Sequence, residues 1–230
     1  LARDGSVSQS GNLSVLSNGA LTLSGQALAH DNVTLSGRSI DLASRVQGAS
    51  LAANASRIGI TGDVRSTGTM SLAAASIANS GIVQGQDVTI HADRLDNNSG
   101  VIDARTRLGA KGSAVSNISG LIQSGGSLIL SGTTLGNDGG SILALGSDAL
   151  NLTFTGAITG TDGKIGGNGD VAVSASSLSL DGANASLIAA KALDMTTRGD
   201  MALSAGATMA AGGAVKLNAG GALNVGGAIV

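Results

Sequence analysis

Apolar and polar residues alternate in short runs along most of this chain. Examples are Ala20-Leu21-Thr22-Leu23, Asn32-Val33-Thr34-Leu35, Asp87-Val88-Thr89-Ile90 and Asp170-Val171-Ala172-Val173. A period of two residues is typical of β-strands with one buried face. Gly, Asn, Asp and Ser between the runs favour tight corners. The pattern predicts an all-β protein, since the nearest candidate for a helix, residues 184–195, is itself interrupted by strand-like pairs.

A short phrase recurs about every twenty residues in the middle of the chain. Its copies are Asn79-Ser80-Gly81-Ile82-Val83, Asn98-Ser99-Gly100-Val101-Ile102, Ile118-Ser119-Gly120-Leu121-Ile122, Asp138-Gly139-Gly140-Ser141-Ile142 and the looser Thr161-Asp162-Gly163-Lys164-Ile165. The glycines that mark the copies are 19, 20, 20 and 23 residues apart. A period of this size indicates a solenoid, in which each unit buries its apolar side against its neighbours.

The period and the strand pattern together define the shape of one coil. Twenty residues at about 3.3 Å each give a perimeter of roughly 66 Å, or three sides of about 20 Å with their corners. We therefore expect a parallel β-helix with about three short strands per coil, right-handed as crossovers between parallel strands usually are. About eleven coils stacked at ~4.8 Å would make a rod of roughly 50–55 Å.

Four asparagines, Asn79, Asn97, Asn117 and Asn137, are nearly in register with this period. Stacked one coil apart, their side chains would form an amide ladder along the rod. Asn is also a common corner residue without any ladder. The sequence favours neither interpretation over the other.

The composition indicates an ordered core built of thin layers. The chain has 230 residues, 42% of them hydrophobic, with 37 Gly, no Pro, no Cys and Phe154 as its only aromatic residue. Gly-rich disordered segments are usually poor in aliphatic residues, and a globular core normally contains several aromatic rings. The scattered charges and a net charge of −2 exclude nucleic acid as an expected partner.

We predict one continuous β-helix over residues 1–230. Residues 1–76 form divergent coils, residues 77–170 the regular repeats, and residues 171–230 coils rich in Ala and Gly. The sequence shows neither a signal peptide nor an apolar run long enough to span a bilayer. Neither end of the sequence shows a capping helix or an amphipathic closing strand, and we therefore expect a segment of a longer solenoid.

The repeat units resemble those of filamentous haemagglutinin. The resemblance is carried by units such as Leu95-Asp96-Asn97-Asn98-Ser99-Gly100-Val101-Ile102-Asp103-Ala104 and residues 119–130, and it covers roughly residues 77–173. It implies a right-handed β-helical shaft of a two-partner-secretion exoprotein, either a filamentous adhesin or a contact-dependent growth-inhibition protein. Such a protein is exported by an outer-membrane partner transporter to the surface of a Gram-negative bacterium. The shaft would project a distal binding or effector region; the alternative is that this segment binds a receptor or glycan itself.

Arg198-Gly199-Asp200 spells the integrin-recognition tripeptide and is the candidate adhesion motif of the chain. However, Gly-Asp before a strand recurs in Gly62-Asp63-Val64 and Gly169-Asp170-Val171. The Gly-Asp pair is thus a feature of the repeat itself and does not require that an integrin binds it. The structural interpretation of the tripeptide is therefore favoured.

Other motifs have structural explanations that are stronger than the functional ones. Gly166-Gly167-Asn168-Gly169-Asp170 is similar to a calcium-binding nonapeptide, but its carboxylate falls one position early and the motif is not repeated. Composition alone explains the Asn-x-Ser/Thr triplets at Asn12, Asn32, Asn54, Asn117, Asn151 and Asn184. We therefore predict neither a metal site nor a cofactor.

The charged residues do not predict an enzyme. Enzymes that cleave sugars on β-helices need clustered carboxylates or a basic catalytic residue, usually with aromatic platforms, whereas His30 and His91 are isolated. The basic cluster consists of Arg94, Arg105, Arg107 and Lys111, with Asp93, Asp96 and Asp103 among them. A solvated face is favoured here over a patch for an anionic glycan.

Overall fold

A computed structural model describes residues 11–230, which form an all-β solenoid without any helix. The chain winds through about 11 turns of ~20 residues, and its strands pair in parallel with those one turn away. The prediction of a parallel β-helix is confirmed. The helix candidate at residues 184–195 instead contains strand residues Ser186–Ala189 and the start of Leu193–Thr197. The predicted coil residues 1–10 lie outside the described residues.

The strands of residues 11–230 follow one another in chain order. The early strands are β1 (Leu13–Leu16), β2 (Ala20–Leu23), β3 (Ala27–Leu28), β4 (Asn32–Ser36), β5 (Ser39–Leu42), β6 (Val46–Gly48), β7 (Ser50–Ile60), β8 (Asp63–Ser66) and β9 (Thr69–Asn79). The central strands are β10 (Ile82–Asp96), β11 (Val101–Ser116), β12 (Leu121–Ser124), β13 (Ser127–Gly136), β14 (Ser141–Ala144), β15 (Leu150–Phe154), β16 (Ala157–Thr161) and β17 (Lys164–Gly167). The late strands are β18 (Val171–Ala175), β19 (Ser177–Asp181), β20 (Ser186–Ala189), β21 (Leu193–Thr197), β22 (Met201–Leu203), β23 (Thr208–Ala211), β24 (Val215–Ala219), β25 (Leu223–Val225) and β26 (Ala228–Ile229).

Each turn has three sides, which β11 illustrates without a break. Its residues 101–104 form side 1, residues 107–112 side 2 and residues 114–116 side 3. They pair with residues 121–124, 127–132 and 134–136 of the following turn. The prediction of about three short strands per coil is therefore confirmed.

Insertions at the corners explain the unequal spacing of the marker glycines. Leu121 pairs with Ser141 on side 1, a separation of 20 residues. On side 2 of the same two turns Leu128 pairs with Leu150, a separation of 22 residues. The separation is larger because residues 145–149 form a longer corner before Leu150. The strands stay in register across such corners, so the stack continues past the looser fifth copy of the phrase.

The interior is a stack of aliphatic side chains. Ile40, Leu72 and Ile102 are among the largest fully buried side chains, and burial of such residues provides most of the stabilisation of the fold. Phe154 is also buried, at the corner between sides 2 and 3, where Gly132 is its equivalent in the preceding turn. A single ring therefore fits where the neighbouring turn has no side chain.

Four asparagines replace the aliphatic core at one position of the regular repeat. Nδ2 of Asn79 donates to Oδ1 of Asn97 at 2.7 Å. The Asn97 amide donates in the same way to Asn117, and that of Asn117 to Asn137, each at 2.8 Å. All four side chains are at most 2% exposed. The amide ladder is therefore confirmed.

Backbone groups satisfy both ends of the ladder. At the first end, the Gly81 N–H donates to Oδ1 of Asn79 at 3.2 Å. At the other end, Nδ2 of Asn137 donates to the carbonyl oxygens of Gly140 and Lys164, both at 3.2 Å. The buried amides thus have partners along the whole column, which a buried polar group requires.

The marker glycine is required by the same corner. A Cβ on Gly120 would lie 2.0 Å from the carbonyl oxygen of Asn97 in the preceding turn, closer than any side chain tolerates. The residue before the glycine has a left-handed backbone, with φ of 59° at Ser99 and 53° at Ser119. The recurring phrase therefore specifies a tight corner beneath the amide ladder.

We expect Asn117→Ala to lower the free energy of unfolding by about 2–3 kcal/mol, because it removes the bond from Nδ2 of Asn97 and leaves the buried Oδ1 of Asn137 without its donor. The matched control is Asn54→Ala, since Asn54 is exposed on side 2, and its effect should stay within about 0.5 kcal/mol. Denaturant unfolding monitored by circular dichroism compares the two. Equal effects would contradict a stabilising ladder.

Gly120→Ala should destabilise the protein by about 1–3 kcal/mol, because the new methyl group must displace the backbone of the preceding turn. Gly136→Ala is the control, since a Cβ there would have no atom within 4 Å. That change should be neutral or stabilise by up to about 1 kcal/mol. Thermal unfolding of both variants tests the requirement, which fails if Gly120→Ala melts like the unaltered protein.

Candidate functional site

The Arg198-Gly199-Asp200 tripeptide lies at the corner between β21 and β22. The side chains of Arg198 and Asp200 are both exposed. Oδ1 of Asp200 accepts a hydrogen bond from the N–H of Ala222 in the next turn at 2.8 Å. The carboxylate therefore braces the corner, and an integrin-binding role of the tripeptide stays a prediction.

Arg198→Ala isolates recognition from stability, because within residues 11–230 the Arg198 side chain forms no hydrogen bond or ion pair. Arg38→Ala is the matched control, since Arg38 is exposed at the corresponding corner between β4 and β5. We expect both variants to unfold within about 0.5 kcal/mol of the unaltered protein and to attach equally well to integrin-bearing cells. Attachment lost only in Arg198→Ala would show that the tripeptide is recognised.

The segment that is similar to a calcium-binding nonapeptide is held by hydrogen bonds across the turns. Nδ2 of Asn168 donates to the carbonyl of Leu145 at 2.7 Å, and Oδ1 of Asp170 accepts from the N–H of Ala192 at 3.0 Å. The described residues contain no group of three or more His, Asp or Glu side chains placed to bind a metal ion. Asn168 and Asp170 therefore have a structural role at this corner.

The predicted basic cluster separates into paired and unpaired cations. Nε of Arg94 lies 2.6 Å from Oδ2 of Asp96, and this hydrogen bond raises the pKa of Arg94 above its ordinary value, with the charge attraction adding to it. Asp103 accepts hydrogen bonds from Nε2 of Gln84 at 2.7 Å and of Gln123 at 3.0 Å. Asp96 therefore neutralises Arg94, whereas Asp103 is bonded to two glutamines and not to a cation of the cluster.

Three cations of β11 remain without such partners. Within residues 11–230, the side chains of Arg105, Arg107 and Lys111 form no hydrogen bond or ion pair, and all three are exposed. The register places Arg107 beside Asp87 and Lys111 beside His91 of the preceding turn. Side 2 therefore has its free positive charge around Lys111.

The two histidines lie far apart along the chain and on different turns. Nδ1 of His30 is 2.7 Å from Oδ1 of Asp31, and both side chains are exposed. His91 is exposed on side 2, and among the described residues its side chain has no hydrogen-bond partner. The structure does not bring them together.

A groove of about 750 Å³ runs along the corner between sides 2 and 3, from β9 to β15. Its floor is formed by small residues that stack in register, namely Ala74, Ala92, Gly112 and Gly132. Phe154 follows them in the same column and fills the corner at the end of the groove. We call this feature the corner groove.

Eight polar or charged side chains line the corner groove. Six of them are Lys111, Ser113, Ser131, Thr133, Thr153 and Thr155. His91 and Asp93 lie at the end nearer the N terminus. Sequence reasoning missed this site, although the run of small residues at one position of successive turns, ended by Phe154, was a signal for it.

Comparison with known proteins adds no assignment, because no family model, curated protein or solved structure matches the chain. Among the described residues no helix is long and apolar enough to cross a membrane. The class of the protein, a parallel β-solenoid, therefore rests on the strand pairing of residues 11–230 themselves.

Proposed function

We propose that this chain forms part of the shaft of a large secreted surface protein and holds a distal binding or effector region away from the cell. The observation that carries the proposal is the unbroken parallel pairing from β1 to β26. Each turn adds about 4.8 Å to the stack. The length of the rod therefore increases in proportion to the number of turns.

The interactions between turns support a stiff shaft. Backbone hydrogen bonds on all three sides join each turn to the next, and the aliphatic core runs through the stack. In the regular repeats the buried amide ladder adds a further link between turns. Because each turn contacts only its two neighbours, turns can be added to or removed from such an array without changing how the remaining turns pack.

In this proposal the shaft belongs to a filamentous-haemagglutinin-like exoprotein of two-partner secretion. An outer-membrane transporter would export it to the surface of a Gram-negative bacterium, and the segment itself would not be an enzyme. The resemblance of the units at residues 95–104 and 119–130 supports this assignment. The lack of Cys fits export through an oxidising periplasm without cross-linking.

A second candidate function is direct binding of a receptor or glycan by this segment. One observation favours it: the polar side chains that line the corner groove are not used within the fold. This function is compatible with a shaft, since the groove involves only a few of the turns.

Removal of one whole turn tests the shaft. Deletion of residues 33–50 joins Asn32 to Leu51, which is the register equivalent of Val33, and leaves both the corner groove and Arg198 in place. We expect the protein to fold and the rod to shorten by about 4.8 Å, as small-angle scattering can measure. Bacteria that display the full-length protein should still attach to their target cells.

The control is deletion of residues 33–40, which removes about half a turn, places Asp41 in the inward position of Val33 and turns Leu42 outwards. It should unfold the neighbouring turns and reduce surface display. Attachment lost after the whole-turn deletion, in a protein that is folded and displayed, would contradict a spacer role.

A further inference from the structure

We propose that the corner groove binds an extended acidic glycan that lies parallel to the axis of the rod. Binding of this kind goes beyond the spacer role, and it rests on the second candidate function, direct binding by this segment. It follows from four properties of the groove: its concave shape, its unpaired polar walls, the spacing of its hydroxyl groups and its free cation.

The polar groups of the groove differ from several of those on side 1. On side 1, polar side chains of successive turns bond one another, as when Arg65 donates to Gln84 and Gln84 donates to Asp103. In contrast, within residues 11–230 the six polar side chains of the corner groove form no hydrogen bond or ion pair. Donors and acceptors that converge on a concave surface without internal partners are those that a ligand uses.

The hydroxyl groups of the groove form two rows that follow the rod axis. Ser131 and Thr153 continue the column of Lys111 on side 2. Thr133 and Thr155 continue the neighbouring row that begins at the corner residue Ser113. Successive members of each row are about 4.8 Å apart, which is close to the length of one sugar unit in an extended β-linked chain. Each sugar would therefore meet one pair of polar side chains.

The floor of the groove suits a chain of sugar rings. Gly112 and Gly132 contribute only backbone atoms to the floor, and the adjoining Ala74 and Ala92 add only methyl groups. The described lining contains no exposed aromatic ring, so binding would depend on hydrogen bonds to the hydroxyl rows. Repetition of the same weak contacts over several turns then provides the affinity.

The charges select an acidic glycan over a neutral one. Lys111 provides an unpaired ammonium group on the wall, and Arg107 on the same strand adds positive potential. His91 is next to Lys111 in the preceding turn. Asp93 is the acid of the lining, and it lies one turn before Ser113, so it opposes the charge of Lys111 on the side towards the N terminus and favours a carboxylate on the side of Ser131. A uronate carboxylate would therefore bind beside Lys111, while neutral hydroxyl groups would bind the Ser and Thr rows.

Isothermal titration of the whole chain with β-linked hexaglucuronate tests the proposal, with cellohexaose, which has the same linkage, as the neutral comparison. We expect binding of the uronate and weaker binding of the neutral hexamer. Thr133→Val should weaken uronate binding about fivefold, through loss of one hydrogen bond. Lys111→Gln should weaken it about tenfold or more and remove the preference over cellohexaose. Thr159→Val on side 3 and Lys164→Gln on side 1, both exposed and outside the groove, should have no effect.

Three results would overturn the proposal. They are the absence of uronate binding, equal weakening by the groove variants and their controls, and a preference for cellohexaose. Circular dichroism and the melting temperature establish that each variant is folded, so a loss of binding can be assigned to the groove. The shaft proposal would survive such a failure, because its test depends on length and not on the groove.

Discussion

Parallel hydrogen bonding between successive turns is the constraint on which every other feature of this protein depends. It holds equivalent residues one above another at about 4.8 Å, so each choice of residue is repeated along the rod as a column. Aliphatic residues stacked in this way make the core, and small residues make the floor of the corner groove. A sequence period of ~20 residues therefore becomes a rod of stacked turns.

The column of the amide ladder shows how strictly this constraint acts. Leu42 and Ile60 precede Asn79 in the column, and Gly160 follows Asn137. An Asn placed singly among these neighbours would have backbone partners only, whereas in a run of four the amide of each Asn also bonds to the oxygen of the next. At Gly160 the run of asparagines ends, and Nδ2 of Asn137 keeps the two backbone carbonyl partners that Asn97 and Asn117 also have in their turns.

Period and alternation were enough to predict three strands per turn, an aliphatic core and the register of the asparagines. They could not decide between a ladder and plain corner residues, because that depends on whether Asn97 faces inwards. Sequence reasoning also missed the corner groove, since alternation shows which residues face outwards on one side but not how sides 2 and 3 meet at their corner. Nor could spacing alone show that Arg94 is paired while Lys111 is not.

A shaft and a binding groove are compatible within one solenoid because they use different groups. Inward side chains and backbone hydrogen bonds hold the turns together, while the outward side chains of each turn can vary without disturbing the stack. Side 1 uses this freedom for bonds between Gln84, Asp103 and Gln123. The corner groove leaves its hydroxyl groups available, which is why it is the strongest candidate for recognition on the described surface.

Distances between paired spin labels test the stacking most directly, and the lack of native Cys allows two labels to be placed at will. Thr34, Ile129 and Ala172 share one outward column on side 2, so Thr34 is five turns from Ile129 and seven from Ala172. Stacking at one strand spacing per turn predicts separations of about 24 Å and about 34 Å between backbone positions. Separations that do not increase with the number of turns would contradict the account.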